Sequence, residues 1–410
     1  MEPESYDAVV IGAGPAGATA ALILARAGWS VAVLEKTRFP RRKVCGEFVS
    51  ATSLPLLREL RVAGSFLAQA GPEIRQIGLY AGRETLTADM PCARDGAQTH
   101  GRALGREHLD TLLLTGAAQA GARVFQPWTV TQVEKADGGF VITGAAKDAG
   151  ETARLKARIV IAAHGSWEPG TLPTQSLRYP PRASDLFAFK AHFKGCDFPA
   201  GLMPLVVFPG GYGGMVHSDR GRMSFSCCIR RDYLEQCRGR YARMRAGEAV
   251  IAHIRAACRG VDAALARATR DGAWLSTGPI RPGIRTFRND GIFAVGNAAG
   301  EAHPIVAEGI GMAIQSAWLL CERLVAPGHA AFSSREIAAI GRSYEASWRQ
   351  NFSRRIHAAR LFAHLATRPA TAHLALAFLK RAPAVITLGA HLSGKAQPLS
   401  GLRKSGSARS

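Results

Sequence analysis

YDAVVIGAGPAGATAALILARAGWSVAVLEK, residues 6–36, is the stretch on which the fold turns. Ala8 to Ile11 is a short, wholly apolar run, the pattern of a strand buried on both faces of a parallel sheet. It leads straight into Gly12, Gly14 and Gly17, spaced G-x-G-x-x-G with Ala13, Pro15 and Ala16 between them. A helix of small residues follows from Ala16 to Ala27. A second apolar strand, Val31 to Leu34, then ends on Glu35 and Lys36. Each part has a task. Gly12 permits the tight turn, Gly14 lets the backbone approach a pyrophosphate, and Gly17 lets helix and strand pack closely. The helix N-terminus offers unpaired N–H groups and a positive dipole end to phosphate, and Glu35 is placed to accept from a ribose hydroxyl. Glycines at this spacing are weak evidence alone. With strand, helix, strand and acid in register they specify a dinucleotide site rather than a turn that binds nothing.

The chain has 410 residues and 47% apolar content, enough to fill two cores. Ala8 to Ala25 carries no charge and approaches the length of a membrane span, but its glycines, proline and nucleotide pattern account for it better. Glu2, Glu4 and Asp7 stand where a secretory signal would carry basic residues. The eight cysteines are scattered, with no C-x-x-C and no repeated His/Cys pairing. That argues against a zinc or iron–sulfur site and for reduced thiols in a cytoplasmic protein.

The net charge is +21, which raises nucleic acid as a partner. Against it, the arginines are dispersed through helices and few aromatics interleave with them. After Glu345 there is no acidic residue, while Arg349, Arg354, Arg355, Arg360, Arg368, Lys380, Arg381, Lys395, Arg403, Lys404 and Arg409 lie among apolar helical segments. Such helices suit an anionic membrane surface, touched peripherally from its inner face, or a hydrophobic acidic ligand. Solvated helix faces are the plainer alternative.

The rest of the chain alternates between two patterns. A basic loop with Pro40 leads to a helix near residues 51–60. Residues 76–80 and 84–88 form a hairpin across a glycine turn. Residues 106–121 are helical, and strands follow at 123–125, 130–135, 140–143 and 153–162. The block 166–274 then reads as an antiparallel sheet carrying one helix around residues 250–258. The parallel-strand pattern returns at Gly291, before a long helix from 309 to 324. The expected architecture is therefore α/β: a Rossmann-like nucleotide domain (1–75, 98–165 and 275–330), interrupted by an antiparallel substrate-binding sheet (76–97 and 166–274), with a basic helical C-terminal region (331–410).

The second diagnostic stretch is GIFAVGNAAGEAHPIVAEGIGMAIQSA, residues 291–317, where a strand runs into a glycine-rich loop that opens a helix. Four pieces, GAGPAG with Glu35, the loop ending Lys43, Cys45 and Gly46, the helix start Arg106 to Asp110, and GNAAG…P…EGIG, resemble the geranylgeranyl-reductase-like flavoproteins. That family belongs to the aromatic-hydroxylase, or group A flavoprotein monooxygenase, superfamily. The resemblance covers about residues 6–324 and implies a glutathione-reductase-type FAD domain. It implies that Gly12 to Gly17 hold the pyrophosphate and that Glu35, followed by Lys36, meets the adenosine ribose. Arg106 would reach the phosphate or ribityl region, Val130 would lie near adenine, and Asn297, after Gly296, would bond to the ribityl chain. Gly309, Ile310 and Gly311 would lie against the isoalloxazine. Two positions depart from the family: Asn297 replaces its Asp, and His164-Gly165 replaces its Asp-Gly. With one dinucleotide fingerprint, NAD(P)H is expected only as a transient electron donor.

Catalytic candidates are fewer. Cys45 would approach flavin and substrate in this family, where it donates a proton or simply packs. Glu47 replaces a glycine common there and reads as an acid behind the site or a surface charge. His303 and Glu308 flank Pro304 in the flavin loop, as site residues or as ordinary loop hydrogen-bonders. Tyr212 in PGGYGG points into the substrate cavity or is a turn tyrosine. His192 and His217 read as satisfied core histidines. Three functions compete: NAD(P)H-driven hydroxylation of a lipophilic small molecule, reduction of an isoprenoid or polyketide C=C bond, and a non-redox prenyl-binding escort. The intact fingerprint argues against the escort, and hydroxylation is placed ahead of reduction. Flavin halogenases share the superfamily fold, but their W-x-W-x-I-P is absent and only an isolated Trp167 stands in that region.

Overall fold

The computed structural model describes residues 3–92, 100–146, 150, 152–166, 170, 172–175, 180–285, 287, 291–328, 332–382 and 384–394. Trp167, Lys395, Arg403, Lys404 and Arg409 lie outside them. β1 (Glu4–Ile11) runs into α1 (Pro15–Arg26) and returns as β2 (Val31–Leu34). The two strands pair in parallel, from Ala8 beside Val31 to Ile11 beside Leu34. Their apolar runs are continuous because both faces are covered. Ala8, Val10, Val31 and Val33 face the core that holds α1, while Val9, Ile11, Ala32 and Leu34 pack against a second cluster.

The chain continues through β3 (Phe48–Val49), α2 (Leu54–Glu59), α3 (Ala63–Gln69), the hairpin β4 (Gln76–Ala81) and β5 (Glu84–Asp89), and β6 (Arg102–Ala103) to α4 (Arg106–Gln119). β7 (Arg123–Phe125), β8 (Trp128–Ala136), β9 (Gly139–Ala146) and β10 (Thr152–Ala162) complete the first sheet, in the order β7-β2-β1-β10-β9-β8. β17, Ile292–Ala294, adds in parallel to the last residues of β10.

The second sheet is built from β11 (Leu186–Lys194), β12 (Leu202–Phe208), β13 (Gly211–His217), β14 (Met223–Arg230) and β15 (Thr269–Ile280), joined by the β4–β5 hairpin. Its order is β15-β11-β14-β13-β12-β4-β5. This corrects the expectation of a purely antiparallel sheet. β12 lies parallel to β4, Leu202 beside Gln76 through Val207 beside Ala81. The two come from segments separated by the whole of α4 and β7–β10, so no hairpin forces them antiparallel. Three helices rather than one accompany this sheet: α5 (Arg231–Arg240), α6 (Ala246–Ala257) and α7 (Arg259–Ala264). α5 buries only Cys237, too little apolar periodicity to read from sequence.

After the short pair β16 (Gly283–Ile284) and β18 (Gly300–Glu301), α8 (Gly309–Val325) returns the chain to the first core. α9 (Ser334–Ala366) starts at a capping box between Ser333 and Glu336. Tyr344, Trp348, Phe352, Ile356 and Ala359 recur at helical spacing along it and enter the same core as α1 and α8. The Tyr344 hydroxyl donates to the Ala294 carbonyl at 2.8 Å and meets Ser316 Oγ, which takes the Gly296 N–H at 3.0 Å. α9 thereby braces the turn after β17. α10 (Pro369–Arg381) and α11 (Ala384–Leu392) follow. Among the described residues no helix is long and apolar enough to cross a membrane.

Candidate active site

One elongated cavity, about 2230 Å³ counting its mouth, lies between the two sheets. Gly12, Gly14, Pro15, Ala16, Glu35, Lys36, Lys43, Cys45, Gly46, Arg106, Val130, Gly296, Asn297, Gly309 and Ile310 all line it. Ala13, Gly17 and Gly311 do not. Their tasks are structural: the Ala13 N–H donates to Glu35 Oε2 at 2.9 Å, and a Cβ on Gly17 would fall 1.9 Å from the Gly12 carbonyl oxygen. One on Gly311 would fall 2.7 Å from Ser53 Oγ.

The glycines divide by what surrounds them. Gly12 has φ +101°, and a Cβ there would meet the Ala163 carbonyl oxygen at 2.6 Å, so the turn itself requires it. A Cβ on Gly14 would meet only Arg106 Nη2, at 3.8 Å, and one on Gly309 nothing within 4 Å. The space over these two is cavity. α1 and α8 both begin there without a side-chain cap, so two helix N-termini turn free N–H groups and positive dipole ends on the same space.

Charge is arranged to match. Lys36, Arg41, Lys43 and Arg106 line the cavity beside the first helix end. Burial, aided by the neighbouring Arg41 and Lys36, pulls the Lys43 ammonium down to about 8, a crowding of like charge that a diphosphate would relieve. Burial works against ionisation of Glu35, but Arg41 and hydrogen bonds from Thr37 and Ala13 outweigh it and hold the carboxyl below its usual range. Its oxygens already accept from Ala13, Thr37 and Arg41, so a ribose hydroxyl would share one of them. The half-buried Arg106 guanidinium grips Asp110 at 2.6 and 2.7 Å and also meets the Cys45 thiol. Asn297 Nδ2 donates to Glu301 Oε1 at 3.0 Å.

Glu47 is neither a surface charge nor a free acid. It is fully buried, with φ +66°, a conformation side chains rarely adopt. Lys190 Nζ donates to Oε1, His192 Nε2 donates to Oε2 at 2.8 Å, and the Arg106 N–H donates to Oε1 at 3.2 Å. Burial opposes the charge, yet Lys190 and His192 overcome it and keep the carboxyl far below its usual range. Lys190 and His192 alternate on β11, so the junction pins the Cys45–Glu47 loop onto the second sheet. Glu47 also lines the cavity, where this grip suits it to positioning the loop. His192 is a satisfied core histidine, bonded to a charge.

At the far end the wall is largely apolar, with Val44, Met203, Leu205, Met215, Val216 and Ile280. Tyr212 lies in it, buried, its hydroxyl 3.3 Å from His303 Nδ1. Burial raises the Tyr212 hydroxyl well above its usual value, and Cys228 beside it adds to the shift. Burial, helped by the Arg360 charge, lowers His303 to about 4. The imidazole is therefore neutral at pH 7, and its Nδ1 shares a hydrogen bond with the tyrosine hydroxyl. Glu301 was not anticipated: it lines the cavity two residues before His303, accepts from Ser166 Oγ at 2.6 Å, and is raised by burial. Glu308, expected in the site, does not line the cavity. It precedes α8, after the left-handed Ala307, and its carboxylate accepts from Ser50 Oγ at 3.0 Å and interacts with Arg355 of α9.

A family model described as FAD binding domain matches residues 5–334. The chain belongs to that family, whose members bind FAD. It is 26% identical over 326 residues to the tryptophan 2-halogenase of Chondromyces crocatus, covering 77% of this chain and 60% of that protein. It is 32% identical over 160 residues to digeranylgeranylglycerophospholipid reductase 1 of Methanothermobacter thermautotrophicus, covering 39% of this chain and 38% of that one. Each alignment thus spans less than two thirds of the relative. Among solved structures, the myxobacterial chondrochloren halogenase CndH superposes with a TM-score of 0.72 at 22% identity, over 85% of this chain and 80% of that one. The geranylgeranyl-reductase-like resemblance and the FAD-domain fold both stand.

Proposed function

We propose that this FAD-dependent oxidoreductase hydroxylates an electron-rich, lipophilic small molecule of phenolic or polyketide type, with NAD(P)H as transient reductant of the flavin. Bound FAD supplies the redox and oxygen chemistry; the chain supplies binding and orientation. The N-terminus of α1, with Gly12, Gly14 and Ala16, takes the pyrophosphate, and Lys43 and Arg106 balance its charge. Glu35 meets the ribose, Val130 the adenine and Asn297 the ribityl chain, while Gly309 and Ile310 lie against the isoalloxazine. Cys45 and Gly46 form the loop between flavin and substrate, and Glu47 with Lys190 and His192 holds that loop in place.

The observation that carries the reading is the Tyr212–His303 pair at the apolar end of the cavity. A phenolic O–H of the substrate donates to the Tyr212 oxygen, and the Tyr212–His303 pair, both groups uncharged in the apolar wall, holds the ring in place for an oxygen electrophile. The Tyr212 O–H on the apolar wall is also the hydroxyl nearest a C=C substrate under the second reading, flavin-driven reduction, which agrees with the resemblance to the archaeal reductase. Exposed Leu361, Leu374, Phe378 and Leu388 on α9–α11, near exposed Arg368, Lys380 and Arg381, support peripheral contact with an anionic membrane, checked by co-sedimentation with anionic vesicles.

The test is oxygen uptake by FAD-loaded protein with NAD(P)H and a lipophilic phenol, in halide-free buffer and with added bromide. Phenol-dependent uptake and a hydroxylated product without halide are expected. Product formed only with bromide would replace hydroxylation by halogenation, and anaerobic turnover of an unsaturated lipid alone would replace it by reduction.

A further inference from the structure

A second cleft, about 1410 Å³ counting its mouth, opens on the other side of the loop that walls the flavin cavity. It is lined by five arginines, Arg26, Arg42, Arg61, Arg220 and Arg222, against one carboxylate, Glu107. Glu107 is half engaged: its Oε1 accepts from Arg222 at 3.0 Å and lies 3.4 Å from Arg42, while its Oε2 has no partner among the described residues, one carboxylate oxygen against five guanidinium groups. Asp219 and Asp271 also serve Arg222, yet Arg222, buried in the wall of the cleft, keeps its Nε–H without a partner. Arg61 and Arg220 are exposed and make no ion pair with any described residue. Arg26 donates only to the Glu59 carbonyl, and Arg61 is close enough for its charge to add to the burial that lowers Arg26.

Two of these arginines also sit on strained backbone. Arg61 has φ +52° and Arg220 φ +53°, two of the four left-handed non-glycine residues among those described. Glycine would relax both positions, so a long cationic side chain is kept there against local preference, which points to a use for the charge. The placement gives the cleft a neighbour. Along one extended run Pro40 and Arg42 face the cleft while Arg41 and Lys43 face the flavin cavity, and at the start of α4 Glu107 faces the cleft and Arg106 the cavity. One thickness of chain separates the two spaces.

We propose that this cleft is a second anion site, which takes the phosphate or diphosphate group of a small molecule docking against the back of the flavin cavity wall. Arg61 and Arg220 supply exposed, uncommitted charge, Arg26 adds to it, and Arg222 offers its free Nε–H. Guanidinium groups suit this task because their N–H donors match phosphate oxygens in pairs.

The test is calorimetric titration of FAD-saturated protein with inorganic pyrophosphate, so that the first anion site is already filled. Wild type should bind one pyrophosphate per chain, more weakly as salt rises. Arg61→Gly with Arg220→Gly should weaken binding by about tenfold or more, with FAD content unchanged and the unfolding midpoint not lowered, because glycine fits both left-handed positions. Arg238→Ala, on an exposed face of α5, should leave binding intact. Displacement by ADP rather than an alkyl diphosphate would identify a nucleotide as the occupant, and the reverse a lipid diphosphate; both support an anion site. No saturable binding in wild type, unchanged binding in the double glycine variant, or equal loss in Arg238→Ala would overturn the proposal. None of these readouts depends on turnover, so the result stands apart from the hydroxylation reading.

Discussion

The two ends of the flavin cavity are made of different materials. The end beside α1 is backbone: glycines without Cβ atoms, free helix N–H groups, and an acid that closes a turn within one continuous segment. The end beside β13 is side chain: Tyr212, Cys228, Glu301 and His303 meet there from β13, β14 and the loop before α8, and the junction that fixes the intervening loop joins Glu47 to β11. A backbone cradle is broken by added atoms even where the charges beside it are kept. A buried side-chain site is broken by a change of charge, because each of its groups is held by electrostatics in a dry wall.

The largest break in that comparison is a pair of glycine substitutions. Gly14→Val should abolish FAD content while the apo chain keeps its unfolding midpoint, because a Cβ there enters empty cavity. Gly17→Ala should instead destabilise the fold by about 1–3 kcal/mol or more, since its Cβ would collide with the Gly12 carbonyl. Normal flavin occupancy in Gly14→Val would remove the cradle assignment. On the side-chain end, Glu47→Gln leaves Lys190 buried without its counter-charge and should cost about 3–5 kcal/mol in urea unfolding. A loss well under that range would mean the junction bears little of the contact between the sheets, and adding Lys190→Met should recover part of it.

Tyr212→Phe and His303→Ala should each lower phenol turnover by about tenfold with FAD content unchanged; equal turnover would remove the pair from the substrate site. The smallest effect is in pH. His303 has its folded value lowered from 6.5 to about 4, so the unfolded chain takes up the proton first. The stability it contributes is complete above pH 6.5 and is lost as pH falls toward 4. Glu47, also lowered, contributes stability complete above its ordinary 4.5 and lost at more acid pH. Unfolding free energy should therefore be level between pH 6.5 and about 8, where Lys43 begins to titrate, and fall below 6.5, and His303→Ala should flatten the upper part of that fall.

The same contrast explains what could be read from the chain. The β1–α1–β2 unit was legible because its contacts are local and its chemistry is backbone, and the pattern at 291–311 led likewise to Asn297 and Gly309. The fate of Glu47 was not, since Lys190 and His192 lie 143 and 145 residues away. Glu301 lay in plain view between Asn297 and His303, but the hydroxyl that holds it, Ser166 Oγ, lies 135 residues earlier. Glu308 carried the opposite lesson: its place in the flavin loop suggested the site, and a hydrogen bond to Ser50, 258 residues back, turns it elsewhere. The parallel β4–β12 pairing was hidden for the same reason, because strand order depends on a crossover that no local period records.

The most direct test of the central claim is the visible absorption spectrum of the chain after incubation with FAD and removal of free flavin. The account predicts a yellow protein with one FAD per chain, whose flavin band shifts when a lipophilic phenol fills the cavity beyond the isoalloxazine. A colourless chain that retains no FAD would contradict it.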